Sequence, residues 1–194
     1  MKAIRNTVIL KFKNNKAWQD EIDFGDGQKI YIEGSLKVEH NAHSVGEVVE
    51  SGIDGINKGD KLGVSYQVLS NYDWIGQQRV FNNSFEMDGD VLFIAGKDFI
   101  LCKIKEDGSY EQFGEWILMK PVIHESKSEI LTLGVDTRAN TNVLSGEGEY
   151  VCGDIDAKEG QRCLFQEKFR SEYSFGWKND FIVLKKDYIY AVRN

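Results

Sequence analysis

The chain has 194 residues, 41% of them hydrophobic, 28% charged and 12% aromatic, with 19 glycines and one proline. This is enough apolar material for one large core or two small ones, and no run approaches the roughly 18 apolar residues of a membrane-spanning helix. A net charge of -7 argues against a general nucleic-acid binder, which needs a basic face to displace counterions.

Residues 1–16 hold only a short apolar run with Lys11 and Lys13 close behind, unlike a secretory leader. Cys102, Cys152 and Cys163 are odd in number and widely spaced, with no CxxC pair. They read as small buried thiols in strands, and the compartment expected from them is a reducing cytoplasm.

Helical periodicity is almost absent. Short runs rich in β-branched and aromatic residues recur instead, each ended by Gly, Asn or Asp. In chain order they cover residues 7–12, 28–33, 46–51, 61–69, 91–95 and 99–104, the last two parted by the turn Gly96, Lys97, Asp98. The series resumes at 116–120, 150–152, 162–166, 181–185 and 188–192. Many short strands with glycine turns predict an all-β sandwich or barrel.

The order of the runs repeats. Val8-Ile9-Leu10-Lys11-Phe12 has a counterpart in Ile117-Leu118-Met119-Lys120-Pro121. Val45-Gly46-Glu47-Val48-Val49 matches Glu147-Gly148-Glu149-Tyr150-Val151, and Lys58-Gly59-Asp60-Lys61-Leu62 matches Glu159-Gly160-Gln161-Arg162-Cys163. Last, residues 92–100 align with 181–189. Blocks conserved in order predict a duplicated unit, with the junction at 105–114, where Glu106, Asp107, Gly108 and Ser109 interrupt the pattern.

The blocks resemble the GroES-type co-chaperonins, whose β-barrel opens on a strand of the type V-I-V-K. A long loop, a G-E-V strand, a V-G-D turn and a closing hairpin follow in that family. Ile117 to Pro121, the segment 126–133 and Lys186-Asp187-Tyr188-Ile189-Tyr190-Ala191-Val192 are similar to its opening strand, loop and closing hairpin. Gly46-Glu47-Val48 and Lys58-Gly59-Asp60 resemble its central strand and turn.

The resemblance implies two tandem GroES-like β-barrels, residues 1–105 with a long loop at 13–44 and residues 114–194. It departs from the family in two places. Only residues 52–57 and 154–156 fill the gap where the family often carries a roof hairpin. Gln28-Lys29 and Ser128-Glu129 stand where paired glycines usually precede the loop tip.

The long first loop starts polar and acidic, with Asp20, Glu21, Asp23 and Asp26, and then offers Ile30-Tyr31-Ile32. A polar tether ending in an apolar strip can dock in a partner's groove; the plainer alternative is an ordinary edge strand of the barrel. The resemblance implies partner binding by Ile30, Tyr31, Ile32, Ile130, Leu131 and Leu133, with a chaperonin ring as partner and several chains in a homo-oligomer. No enzyme, cofactor, metal, nucleic-acid or membrane role is expected. The rival reading is a structural subunit of a larger assembly such as a virus particle, its loops serving as fixed contacts.

Other features point to structure rather than chemistry. Residues 20–27 lack the alternation and terminal Glu of a calcium loop, and His40, His43 and His124 have no zinc-site companions. Ser145-Gly146-Glu147-Gly148 precedes a strand, so it presents no helix-terminal amides to phosphate. Tyr72, Trp74, Phe81 and Phe85, like Tyr173, Phe175 and Trp177, could stack on bases or sugars, but a packed hairpin is the commoner cause.

Overall fold

In the computed structural model the described residues are 2–12, 21–23, 29–31, 44–76, 78–122, 145–174 and 180–193. The strands are β1 (Thr7–Phe12), β2 (Glu21–Asp23), β3 (Lys29–Tyr31), β4 (Val45–Ser51), β5 (Lys61–Val64), β6 (Tyr72–Ile75), β7 (Gln78–Phe81), β8 (Ser84–Met87) and β9 (Asp90–Gly96). They continue with β10 (Ile100–Ile104), β11 (Tyr110–Gln112), β12 (Trp116–Pro121), β13 (Ser145–Cys152), β14 (Arg162–Gln166), β15 (Ser171–Ser174), β16 (Asp180–Lys185) and β17 (Ile189–Arg193). The only helical elements among the described residues are short 3₁₀ turns. The protein is all-β, and no helix among the described residues is long and apolar enough to cross a membrane.

Two sheets dominate. The first runs β11-β10-β5-β4-β1-β9-β8 and the second β15-β16-β12-β13-β14-β17. Read from β8 and β15 respectively, the two orders coincide strand for strand, with β11 added at the end of the first. The irregularities coincide as well. The β1–β4 register shifts between Ile9 and Leu10, and the β12–β13 register between the equivalent Leu118 and Met119. The β5–β10 and β14–β17 ladders each slip by one residue, at Leu101 and at its counterpart Tyr190. Such bulges re-aim side chains. The 3₁₀ turns Tyr66–Val68 and Lys97–Phe99 recur as Glu167–Phe169 and Lys186–Tyr188.

Alternation along the strands builds the cores. In β1, Val8, Leu10 and Phe12 enter one cluster with Val48, Leu62, Val64, Phe93, Ala95 and Ile100, so every strand from β9 round to β10 faces one core. In the second sheet Ile117, Met119, Tyr150, Cys163, Phe165, Ile182 and Leu184 do the same. Sequence reasoning predicts closed barrels, whereas the hydrogen-bonded orders are open-ended among the described residues. In the first half Val68 and Leu69, at the 3₁₀ turn after β5, add to the buried core.

A third cluster joins the halves. Leu101 and Cys102 of β10 pack with Leu118, Tyr173, Phe181 and Val183, flanked by Tyr66, Ile104 and Tyr110. Tyr110 meets Phe181 edge-on at 4.8 Å between ring centres, and the Tyr173 hydroxyl lies 3.2 Å from the buried Ser65 hydroxyl. Trp116 Nε1 donates to the Asp98 carbonyl at 3.2 Å. The unbroken apolar run Ile117-Leu118-Met119 is explained by this arrangement: Leu118 faces the other half while its neighbours face their own core.

The expected junction at 105–114 contains β11, which pairs with β10 through Cys102↔Gln112 and Ile104↔Tyr110. The run expected over 61–69 is a strand only to Val64. Ser65 then caps a 3₁₀ turn, its hydroxyl accepting from the Gln67 N–H at 3.3 Å.

Candidate functional site

The two long connections leave the sheets at equivalent points. Phe12 at the end of β1 pairs with Gly46 of β4, and Pro121 at the end of β12 pairs with Gly148 of β13. Each connection therefore springs from one strand and returns on its hydrogen-bonded neighbour. Both roots are crowded at a glycine: a Cβ on Gly46 would lie 3.2 Å from Leu10 Cβ, and one on Gly148 3.1 Å from Met119 Cβ. These are the glycines of the G-E-V type blocks, and the crowding is a local reason for them.

Within the first connection, β2 pairs with β3 through Glu21↔Tyr31, Ile22↔Ile30 and Asp23↔Lys29. This ribbon is a separate two-stranded sheet and no edge of the seven-stranded one, which removes the edge-strand alternative for Ile30. Ile30 and Tyr31 thus sit on β3, which pairs with β2 inside the connection. Ile32, Ile130, Leu131 and Leu133 lie outside the described residues, as do His40, His43, His124, Phe175 and Trp177. The structure accordingly relates two of the six expected partner-binding residues to a defined element.

Residues 52–57 form a compact turn, with Ile53 and Ile56 buried in the first core. Next to it the K-G-D turn is held by a hydrogen-bond set that recurs in the second half. Asn57 N–H donates to Asp60 Oδ2 at 2.8 Å, as Lys158 N–H does to Gln161 Oε1 at 2.7 Å. Gly59 N–H bonds Val48 O and Gly160 N–H bonds Tyr150 O, at 2.8 and 2.9 Å. Both glycines have φ near the left-handed region, +88° and +87°, where a side chain would be strained.

Only the first half adds charge to this turn. Lys103 Nζ lies 2.7 Å from Asp60 Oδ2, the two side chains 22% and 19% exposed. Burial pushes the Asp60 carboxyl up, but the Lys103 ammonium and the Asn57 N–H outweigh it and hold the carboxyl below its ordinary value. The pair borders a shallow open recess lined by Gly59, Lys61, Lys105 and Asp107. It is a clasp between a turn and β10.

The aromatic residues of the first half form a ladder, not a platform. Phe12, Phe93, Phe81 and Tyr72 follow one another edge-on, with ring centres 5.2, 5.1 and 5.7 Å apart. This ties the β6–β7 hairpin to the core and leaves Trp74, Ile75 and Val80 exposed. Tyr173 is buried between the halves. The thiols are free, and burial is the main cause that pushes Cys102 up to about 12 and Cys152 to about 11. Among the described residues no cluster of His, Cys, Asp and Glu could hold a metal ion.

Sequence reasoning missed the contact between the halves. The available signal was the outward apolar set Leu118, Phe181 and Val183, which a solvent-facing sheet would not carry. No protein-family model and no curated protein matches the chain.

Proposed function

We propose that the chain is a tandem GroES-like co-chaperonin of two β-barrel units, a lid that caps a chaperonin ring through apolar loop tips and assists protein folding. The observation that carries the reading is the paired origin of the connections 13–44 and 122–144, rooted at the same point of two sheets with one strand order. A rigid sheet that holds both ends of a long polar tether is suited to presenting a short apolar strip to a groove. Several loops in one assembly would act by avidity.

The binding residues in this proposal are Ile30, Tyr31, Ile32, Ile130, Leu131 and Leu133. A buried aliphatic of this kind contributes about 1.5 to 3 kcal/mol by area, less the ordering cost of its loop. The double substitution Ile130→Ser with Leu131→Ser is therefore expected to abolish ATP-dependent capture by a purified chaperonin ring while the β-sheet circular dichroism stays unchanged. Undiminished capture of the double variant would remove the loop tip from the mechanism.

The compact turn at 52–57, buried in the core where a roof hairpin would stand, favours a second reading. In it the same units and loops are permanent contacts of a structural subunit in a larger assembly such as a virus particle. That reading expects no capture of the wild type by any chaperonin, and failed assembly of the double variant.

A further inference from the structure

Two of the three thiols meet at the contact between the halves. Cys102, in the middle of β10, is buried in the cluster that joins them, and Cys152, the last residue of β13, packs against that cluster from the other half. Cys152 stands across the ladder from Leu118, itself a member of the cluster. Cross-strand partners share a face of the sheet, so both side chains are turned toward the first half. The thiols are close enough for negative charge on Cys152 to bear on Cys102.

The duplicated plan calls for neither thiol. The residue equivalent to Cys102 is Ala191, and the residue equivalent to Cys152 is Glu50. Each half thus contributes one thiol at a position where the other half has none, and the two face each other across the contact. Cys163 is different. It is buried in the inward cluster of the second core with Ile117, Met119 and Phe165, on the side of the sheet away from the first half.

We infer that Cys102 and Cys152 are a redox-sensitive pair, whose disulfide latches the two halves together under sustained oxidation. Access sets the order of events. Cys102 has no exposed surface, so a dissolved oxidant does not reach it in the folded chain, whereas Cys152 is half-buried and reachable.

The oxidant is a low-molecular-weight disulfide of the glutathione type. The Cys152 thiolate attacks one of its sulfurs, forming a mixed disulfide and releasing one small thiol. The Cys102 thiolate then attacks Cys152 Sγ, and the second small thiol leaves. Two protein thiols lose two electrons and two protons, and the oxidant takes up both as two small thiols. Burial disfavours both protein thiolates, so the latch closes slowly. A small thiol of ordinary pKa, about 8.5, is the better leaving group, which favours the internal bond over return of the adduct. The bond closes a loop through β11, β12 and β13 and holds the second sheet against β10, with a gain in stability from the constrained unfolded chain. It uses neither long connection and stands apart from chaperonin binding.

The test incubates the folded full chain with excess oxidised glutathione at mildly alkaline pH, followed by intact mass and non-reducing peptide mapping. The wild type is expected to lose the mass of two hydrogens, with the peptides of Cys102 and Cys152 linked. Its urea midpoint should rise and return on reduction. Cys102→Ser is expected to stop at one glutathione on Cys152, Cys152→Ser to stay unmodified, and Cys163→Ser to close the latch as the wild type does, each with β-sheet circular dichroism intact. The wild-type measurement is decisive without any variant. A wild type that keeps glutathione on Cys152 without closing, stays unmodified, links either residue to Cys163, or forms the bond with an unchanged urea midpoint would overturn the latch.

Discussion

The two halves share a backbone plan down to single hydrogen bonds, yet they fill it with different side chains. In the first core the aromatic bulk comes from β1 and β9, as Phe12 and Phe93. Their equivalents in the second half are Pro121 and Ile182, and the bulk moves to Tyr150 and Phe165, where the first half has Val48 and Val64. The strand plan is kept while the positions of the large residues exchange, which is how a core tolerates wholesale substitution. The outer surfaces diverge further, since one closing edge is buried against the partner half and the other faces solvent.

The comparison breaks most sharply at Phe93. It touches Phe12 and Phe81 edge-on, so Phe93→Ala is expected to cost about 3 to 5 kcal/mol in urea unfolding, and Ile182→Ala, its equivalent, about 2 to 5. A larger loss at Ile182 would mean that the second core is the more tightly interlocked.

At the closing edges equivalent positions should respond differently. Leu101→Ala opens a cavity between the halves and is expected to cost about 2 to 5 kcal/mol. Tyr190→Ala, at the matching bulge, is expected to stay within about 0.5 kcal/mol for an isolated chain. Equal losses at the two positions would show that β17 is as enclosed as β10.

The smallest effect belongs to the charged clasp. Asp60→Asn leaves a turn like that of the second half, where Gln161 is neutral, and is expected to cost about 1 kcal/mol at neutral pH, given the residual exposure of the pair. The native carboxyl titrates below its ordinary value of 3.8. Its contribution is therefore complete above about pH 4 and is lost as the pH falls through the lower folded value. The wild type and Asp60→Asn should converge in stability on acidification; a constant gap between pH 7 and pH 3 would assign the loss to the backbone turn instead.

Much of this plan was readable in residue order. The strands β1, β4, β9, β12, β14 and β16 follow from apolar runs ended by turn residues, and Gly59 and Gly160 mark positive-φ positions that local sterics dictate. Duplication followed from the order of the blocks, because equal patterns of inward residues demand equal surroundings. The strands β6, β7, β8, β11 and β15 were not read, since Tyr110-Glu111-Gln112 or Ser171-Glu172-Tyr173-Ser174 has little strand character of its own and is extended because a neighbour supplies the ladder. Of the candidate site, Ile30 and Tyr31 lie on β3 in the long connection, and their pairing with β2 and not with the large sheet could not be read from alternation alone.

What folding in three dimensions added was the use of each surface. A period of two says that Ile9 and Leu118 point away from their cores; it is silent on what waits there. For Leu118 it is Leu101 and Cys102, residues distant in the chain, aimed by a one-residue slip in the β5–β10 ladder. For Ile9 it is Ala3 and Phe85. Local sterics and alternation act over a few residues and are written in the chain, whereas the covering of a face depends on packing between distant segments and emerges only when both are in place.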